Sequence, residues 1–472
     1  MTKYMAICIA FALAAAPMQT FSEPRTPAKM KLRGYITARP SDQAIAILDD
    51  QISFTPATRI ELQNGSAGQN PSNTYLIPGA LIEAEGIWTA RHRFSAEKIT
   101  IDESQFEKQI HSSAYLQEEP AETQKISSGE PAELKADGER LVLDSRTRRS
   151  RFEAPAGESN AGIANAAEKS ASNNTPAKSA MLAGHQVRYA GVRRSDGNIA
   201  AESIELGPPA PPDVYKMPHG IEVVRAKDPQ TGIDVVQFQR GKRIDGRLKL
   251  FPVRSVQEYV SHLGDSLLPA GAKGTTRALE FRFFVIEDFS INAESLPDGT
   301  VLINTGLLGA VENEAQLAFI LSHEVSHTLQ AHYWREVHET RGQRIGLLIA
   351  GIVAGGFIGD MGVFLSELGM VSVINGHQRM LENQADRLGL QNVIEHGYDP
   401  RQAPLFSRMI IERRGDRTTS KLWSNHDSSV LRGSFLTVQL ARQYPEGHFD
   451  KAVVDTDAFR AMKEAMGPVK IE

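Results

Sequence analysis

The chain has 472 residues, a formal net charge of −5 and 41% hydrophobic residues, enough for two or three domains with apolar cores. So mild a charge leaves no footprint for nucleic acid, which is excluded as a partner. The single cysteine, Cys8, excludes internal disulfides and a metal site built from several thiolates.

In chain order, Lys3 and the Ala-rich apolar run Met5 to Met18 read as a secretory signal over residues 1–22. Ala14 to Ala16, or Thr20 and Ser22, offer cleavage sites. The run is shorter than the roughly 20 residues a membrane span needs. The expectation is an exported, periplasmic protein, with an uncleaved, membrane-associated form as the alternative.

Residues 30–112 alternate apolar and polar in short runs divided by Gly, Asn and Pro, the pattern of β-strands. A second copy follows. Residues 78–86 and 96–99 pair without gaps with 183–191 and 201–204, at an offset of 105. Leu48-Asp49 and Leu143-Asp144 extend the match at a slightly different offset. Two OB-like β-barrel modules are expected, 30–112 and 133–207, with a low-complexity insertion at 154–180. No basic-aromatic platform marks them as nucleic-acid binders, so they are read as structural or protein-docking modules, dispensable for chemistry. Residues 113–132, rich in Glu, Pro, Ser and Lys, read as a disordered linker. Gly207-Pro-Pro-Ala-Pro-Pro212 reads as a stiff boundary, with a linker at 208–213.

The second half, 214–472, opens with an amphipathic helix over 254–268, its apolar side formed by Val256, Tyr259, Val260, Leu263 and Leu267. Strands are expected at 279–286 and at 300–304, the latter after a Pro-Asp-Gly turn. Thr300, Val301, Leu302, Ile303 and Asn304 are read as an edge on which an extended polypeptide pairs.

A helix running in from Asn313 then carries His323-Glu324-Val325-Ser326-His327. Residues four apart on a helix share a face, so both imidazoles can reach one ion, and Glu324 lies close enough to act as a general base. A chain of this composition is expected to match the pattern by chance only about 0.04 times. A catalytic zinc needs a third protein ligand and one open position. His332 lies nine residues after His323, half a turn round if the helix continues, and no Gly breaks the helix before it. The third ligand is therefore expected on another helix, 378–389, where Glu382 and Asp386 share a face. One carboxylate can bind the ion and the other can orient an imidazole. The apolar, Gly-rich stretch 345–375 is read as a helical hairpin covering the site, or as a peripheral membrane contact.

HExxH with a further His, then Glu382-Asn-Gln-Ala-Asp386 before Gly389, resembles the family-48 zinc metallopeptidases. Residues 291–308 and 423–432 are similar to further segments of that family. Asp427 replaces its usual Pro, and Gln384 stands where many members carry a second Glu. The resemblance covers about 215–470. It implies an α+β, gluzincin-type zincin domain, mostly α-helical, after the two modules. It also implies one Zn2+ on His323, His327 and Glu382, with Asp386 behind them. Glu324 would be the base. His426 would donate to the oxyanion or cap the ion at rest, with Arg432 as a supporting charge. The function expected is a zinc endopeptidase acting on unfolded or misassembled envelope proteins, with the outer-membrane assembly machinery as a partner. A chaperone or scaffold with little proteolysis is the rival, and the intact Glu324 counts against it.

Overall fold

The structure is a computed structural model. It describes residues 29–63, 75–102, 109–117, 122–151, 184–194, 196–272, 279–339, 376–414, 429–445 and 447–471. The expected signal 1–22, the insertion 154–180, the stretch 345–375 and His426 lie outside the described residues.

The first module is β1 (Met30–Tyr35), β2 (Ala38–Ser41), β3 (Ala44–Ile47), β4 (Asp50–Ser53), β5 (Arg59–Leu62), β6 (Leu81–Ala90) and β7 (Arg93–Ile101). They form one sheet in the order β1-β6-β7-β4-β3-β2, with β5 also on β7. Only Ile36 and Thr37 separate β1 from β2, so the path starts and ends on one bent segment. Alternating Leu32, Ile45, Ile47, Ile52, Ile82, Phe94 and Ile99 point into its core.

The second module is β8 (Gln109–Tyr115), α1 (Thr123–Ser128), β9 (Ala132–Ala136), β10 (Glu139–Leu143), β11 (Arg148–Arg151), β12 (His185–Arg193) and β13 (Ile199–Pro209). Its sheet order, β8-β12-β13-β10-β9 with β11 on β13, repeats that of β1-β6-β7-β4-β3 with β5 on β7. The offset of 105 holds down to a bulge. The register shifts between Glu85 and Gly86 in one copy, and between Ala190 and Gly191 in the other. A Cβ at Gly86 would collide with the Ser95 carbonyl, and one at Gly191 with the Ala200 carbonyl, so both bulges require glycine.

Several expectations are corrected here. Ile52 pairs with Phe94, and Leu141 with Ile199. Leu48-Asp49 therefore corresponds to Asp137-Gly138, not to Leu143-Asp144. Both are hairpin turns, with positive φ at Leu48 (55°) and Asp137 (58°). Residues 109–115 belong to the second module, since β8 pairs with β12 along its length. The supposed linker 113–132 contains α1, which buries Ile126 in that module's core. One apolar residue in a polar tract sufficed, because a preformed sheet was there to receive it. The Pro-rich stretch is packed as well: Pro208 and Pro209 end β13, and Ala210, Val214 and Tyr215 are buried with Tyr115 and Ala331.

The described chain as a whole is not mostly helical, although helices outnumber strands in the second half. That half opens with an antiparallel meander that the sequence reading passed over, β14 (Glu222–Lys227), β15 (Asp234–Arg240) and β16 (Arg243–Lys249). There follow α2 (Arg254–Ser266), β17 (Arg282–Ile286), β18 (Ala293–Ser295), β19 (Thr300–Asn304), α3 (Thr305–Ala310), α4 (Glu314–Leu329) and α5 (His332–Glu339). The helices α6 (Gly376–Glu395), α7 (Gln402–Arg414), α8 (Ser429–Gln443) and α9 (Asp457–Met466) complete it. The sheet order β17-β19-β18 places Thr300–Asn304 in the middle, paired on both sides and buried throughout. It is not an edge; β17 and β18 are the end strands. Five consecutive buried residues are the mark of a central strand, and the alternation test does not separate the two cases.

Both modules pack on the helices of the second half. Tyr35 and Leu81 of the first are buried with Leu431, Phe435 and Val438 of α8. The second module rests its β9–β10 turn on α6: a Cβ at Gly138 would lie 2.6 Å from the carbonyl carbon of Arg387.

Candidate metal centre

Asn313 caps α4, its side chain accepting from the Gln316 amide at 3.0 Å. The helix is buried almost all round, which suits a sequence with apolar residues on every face. It packs against α6 at close range. A Cβ on Gly389 would come within 3.2 Å of the Phe319 ring and 3.4 Å of the His323 nitrogen. A glycine there lets the two helices approach until side chains from both meet.

Where they meet, one donor atom each of His323, His327 and Glu382 lies within 4.8 Å of the others. The Nε2 atoms of the two imidazoles are 3.0 Å apart. Glu382 places one oxygen 3.6 Å from His323 Nε2 and the other 3.4 Å from His327 Nε2. His323 and Glu382 are buried, while His327 is 15% exposed at its side chain, so the cluster opens to solvent on that side. Two imidazoles and a carboxylate are the donor set of a catalytic zinc with an open position. Glu324, next along α4, is buried beside it.

The nitrogens turned away from the cluster are held. Asp386 puts an oxygen 2.9 Å from His323 Nδ1. Arg432 grips the same carboxylate through Nη2 at 2.5 Å and Nε at 3.3 Å, and its Nη2 also lies 3.1 Å from His323 Nδ1. This corrects the reading of Arg432 as an oxyanion helper. It stands behind His323, on the side away from the donor atoms, with both members of the pair buried. Such an arrangement fixes an imidazole's tautomer and orientation.

The other imidazole is held by a residue that helical arithmetic had set aside. The helix α4 stops at Leu329, and Ala331 takes a positive φ of 52°. The turn swings His332 round, so its Nδ1 comes 2.9 Å from His327 Nδ1 and its Nε2 2.9 Å from Gln384 Oε1. The half-turn argument assumed an unbroken helix, and an alanine in the left-handed region broke it. His332 is thus no ligand but a partner of one. Gln330, just past the end of α4, pairs its side-chain amide with both backbone groups of Tyr115 at 2.7 Å. Asp137-Gly138 is a hairpin signal that the sequence carries, but what that turn docks on is decided only by the tertiary structure.

Residues 255–438 match the family described as Peptidase family M48. The match lies wholly in the second half of the chain and holds every residue of the candidate metal centre. Residues 33–100, the first module, match a domain of unknown function, DUF5666. The chain is 28% identical over 168 residues to a Beta-barrel assembly-enhancing protease of Yersinia pestis, covering 33% of each chain. It is 26% identical over 182 residues to the protein of that name from Escherichia coli K12, covering 36% of each. The Mitochondrial metalloendopeptidase OMA1 of Arabidopsis thaliana is 28% identical over 158 residues, 34% of this chain and 31% of that one. The chain thus spans about a third of the length of these relatives. Similarity to M48 supports a metal-dependent endopeptidase, and the histidine and glutamate cluster lies within the matched span.

Proposed function

We propose that this chain is a zinc-dependent endopeptidase of the cell envelope that cuts unfolded or misassembled proteins. The observation that carries the reading is the convergence of His323, His327 and Glu382 beside Glu324, with the far nitrogens of both imidazoles held. The donor chemistry fits zinc: two neutral nitrogens and one carboxylate, each imidazole offering Nε2 forwards. Bound there, zinc would supply a Lewis acid to polarise the scissile carbonyl and lower the pKa of the attacking water.

The chain's own residues do the rest. Glu324 takes the proton of the attacking water and returns it to the leaving amine. Asp386 and Arg432 hold His323 in one tautomer, and His332 does the same for His327. An extended polypeptide pairs along β18, one of the two end strands of the β17-β19-β18 sheet. Backbone pairing reads few side chains, which suits unfolded substrates. His426 is assigned by family resemblance to the oxyanion or to a resting cap on the ion. The two modules, whose strand order repeats, are read as OB-like barrels that place substrate. Export rests on the apolar N-terminal run. The outer-membrane assembly machinery is the partner proposed, by analogy with relatives named for enhancing β-barrel assembly.

The test is metal content and casein cleavage of the full chain. Wild type should hold one zinc and cleave. Glu324→Gln should keep the zinc and lose at least about 10²-fold in rate, and His327→Ala should lose both. Equal zinc in wild type and His327→Ala would refute the assignment.

A further inference from the structure

The second β-module reaches the metal cluster through an unbroken line of hydrogen bonds. Asp137, at the tip of the β9–β10 turn, is 2% exposed. Its Oδ2 accepts from Ser112 Oγ at 2.6 Å, from Tyr189 Oη at 3.2 Å and from Arg387 Nη2 at 2.7 Å. Its Oδ1 accepts from Gln384 Nε2 at 2.5 Å, and that same amide nitrogen also donates to the Ser113 carbonyl at 3.2 Å. Gln384 Oε1 in turn receives His332 Nε2 at 2.9 Å and Arg335 Nη1 at 2.7 Å. His332 Nδ1 meets His327 Nδ1 at 2.9 Å.

The proton order along this line is determined by chemistry. A metal on His327 Nε2 leaves the ring proton on Nδ1, which donates to His332 Nδ1. His332 must then carry its own proton on Nε2 and donate to Gln384 Oε1. Arg335, a pure donor, requires the same amide orientation. The amide nitrogen is left facing a carboxylate that can only accept. A glutamate at 384 would oppose Asp137 with a second negative group, so Gln, not Glu, suits a chain that carries this module.

We propose that Asp137 and Gln384 are positioning residues that couple docking of the second β-module to the orientation of the metal ligand His327. The module then completes the site rather than merely delivering substrate. This rests on the metal-centre reading above, and the test keeps the two apart.

The experiment measures zinc affinity of the full chain by competition with a chromophoric chelator, alongside the visible spectrum of the cobalt form. His323→Ala should abolish binding, which checks the metal centre itself. Gln384→Glu should weaken zinc binding about 10-fold or more, within the 10–100-fold typical of residues that orient ligands, and should alter the cobalt spectrum. Gln384→Leu, which breaks the line without adding charge, should weaken it similarly. The double variant Gln384→Glu/Asp137→Asn reverses donor and acceptor at one hydrogen bond and should recover part of the lost affinity, the remainder staying lost because the Ser113 carbonyl then faces an acceptor and Arg387 loses a charge partner. Lys135→Ala loosens the same interface at its exposed ion pair with Glu395, away from the line, and should leave affinity unchanged. Wild-type affinity in folded Gln384→Leu, or a double variant as weak as Gln384→Glu alone, would overturn the proposal.

Discussion

Replacing Arg432 with methionine separates two accounts of that residue. The side chain keeps much of its length and loses its charge. Arg432 is 2% exposed and Asp386 fully buried, joined at 2.5 and 3.3 Å. Removing one partner of such a pair leaves a buried charge without its main neutraliser, at a cost of about 3–5 kcal/mol. With a urea dependence of about 3 kcal/mol per molar or somewhat more for a chain of this size, the midpoint should fall by roughly 1 M. Zinc affinity should fall with it, because Asp386 is no longer held against His323. The double variant Asp386→Leu/Arg432→Met should recover most of the stability, since removing both charges leaves nothing uncompensated. It should not recover zinc affinity, which stays about 10–100-fold down because His323 Nδ1 has lost its acceptor. Urea unfolding of the metal-free full chain and chelator competition read the two quantities separately. A wild-type midpoint and wild-type affinity, with kcat reduced 10²–10³-fold as for a lost oxyanion donor, would refute the placement of Arg432 behind His323.

Two further outcomes follow from the packing. Gly389→Val should separate α4 from α6 and cost about 1–3 kcal/mol in thermal or urea unfolding as an overpacked core does, whereas Gly389→Ala, at 3.2 Å from the flexible edge of Phe319, should cost less; equal stability of wild type and Gly389→Val would contradict the close approach. A chain beginning at Asp213 should aggregate or unfold rather than retain activity, against the expectation that the modules are dispensable. It would expose Leu431, Phe435 and Val438 at about 1.5–3 kcal/mol each, comparable with a domain's whole stability of about 5–15 kcal/mol. A soluble, zinc-loaded fragment that cleaves casein as fast as the full chain would show otherwise.

What the sequence determined by itself is local or periodic. The spacing of His323 and His327, and of Glu382 and Asp386, places each pair on one helical face, because i and i+4 share a face wherever a helix forms. The helix running in from Asn313 and the gap-free repeat at 105 were legible for the same reason: each is a short-range pattern that the fold does not rearrange. The tertiary structure decided everything that depended on where elements end and what they meet. Thr300–Asn304 became a central strand because β17 and β18 cover both its edges, which no five-residue window contains. Arg432 moved behind His323 because α8 packs across α6. His332 turned towards His327 because Ala331 accepts a backbone conformation that its own side chain disfavours, and only the surrounding contacts can stabilise that. Asp137 lies 190 residues before His327 in the chain. Its nearness to the metal cluster comes from docking one folded surface on another, a long-range event that no motif of this sequence encodes.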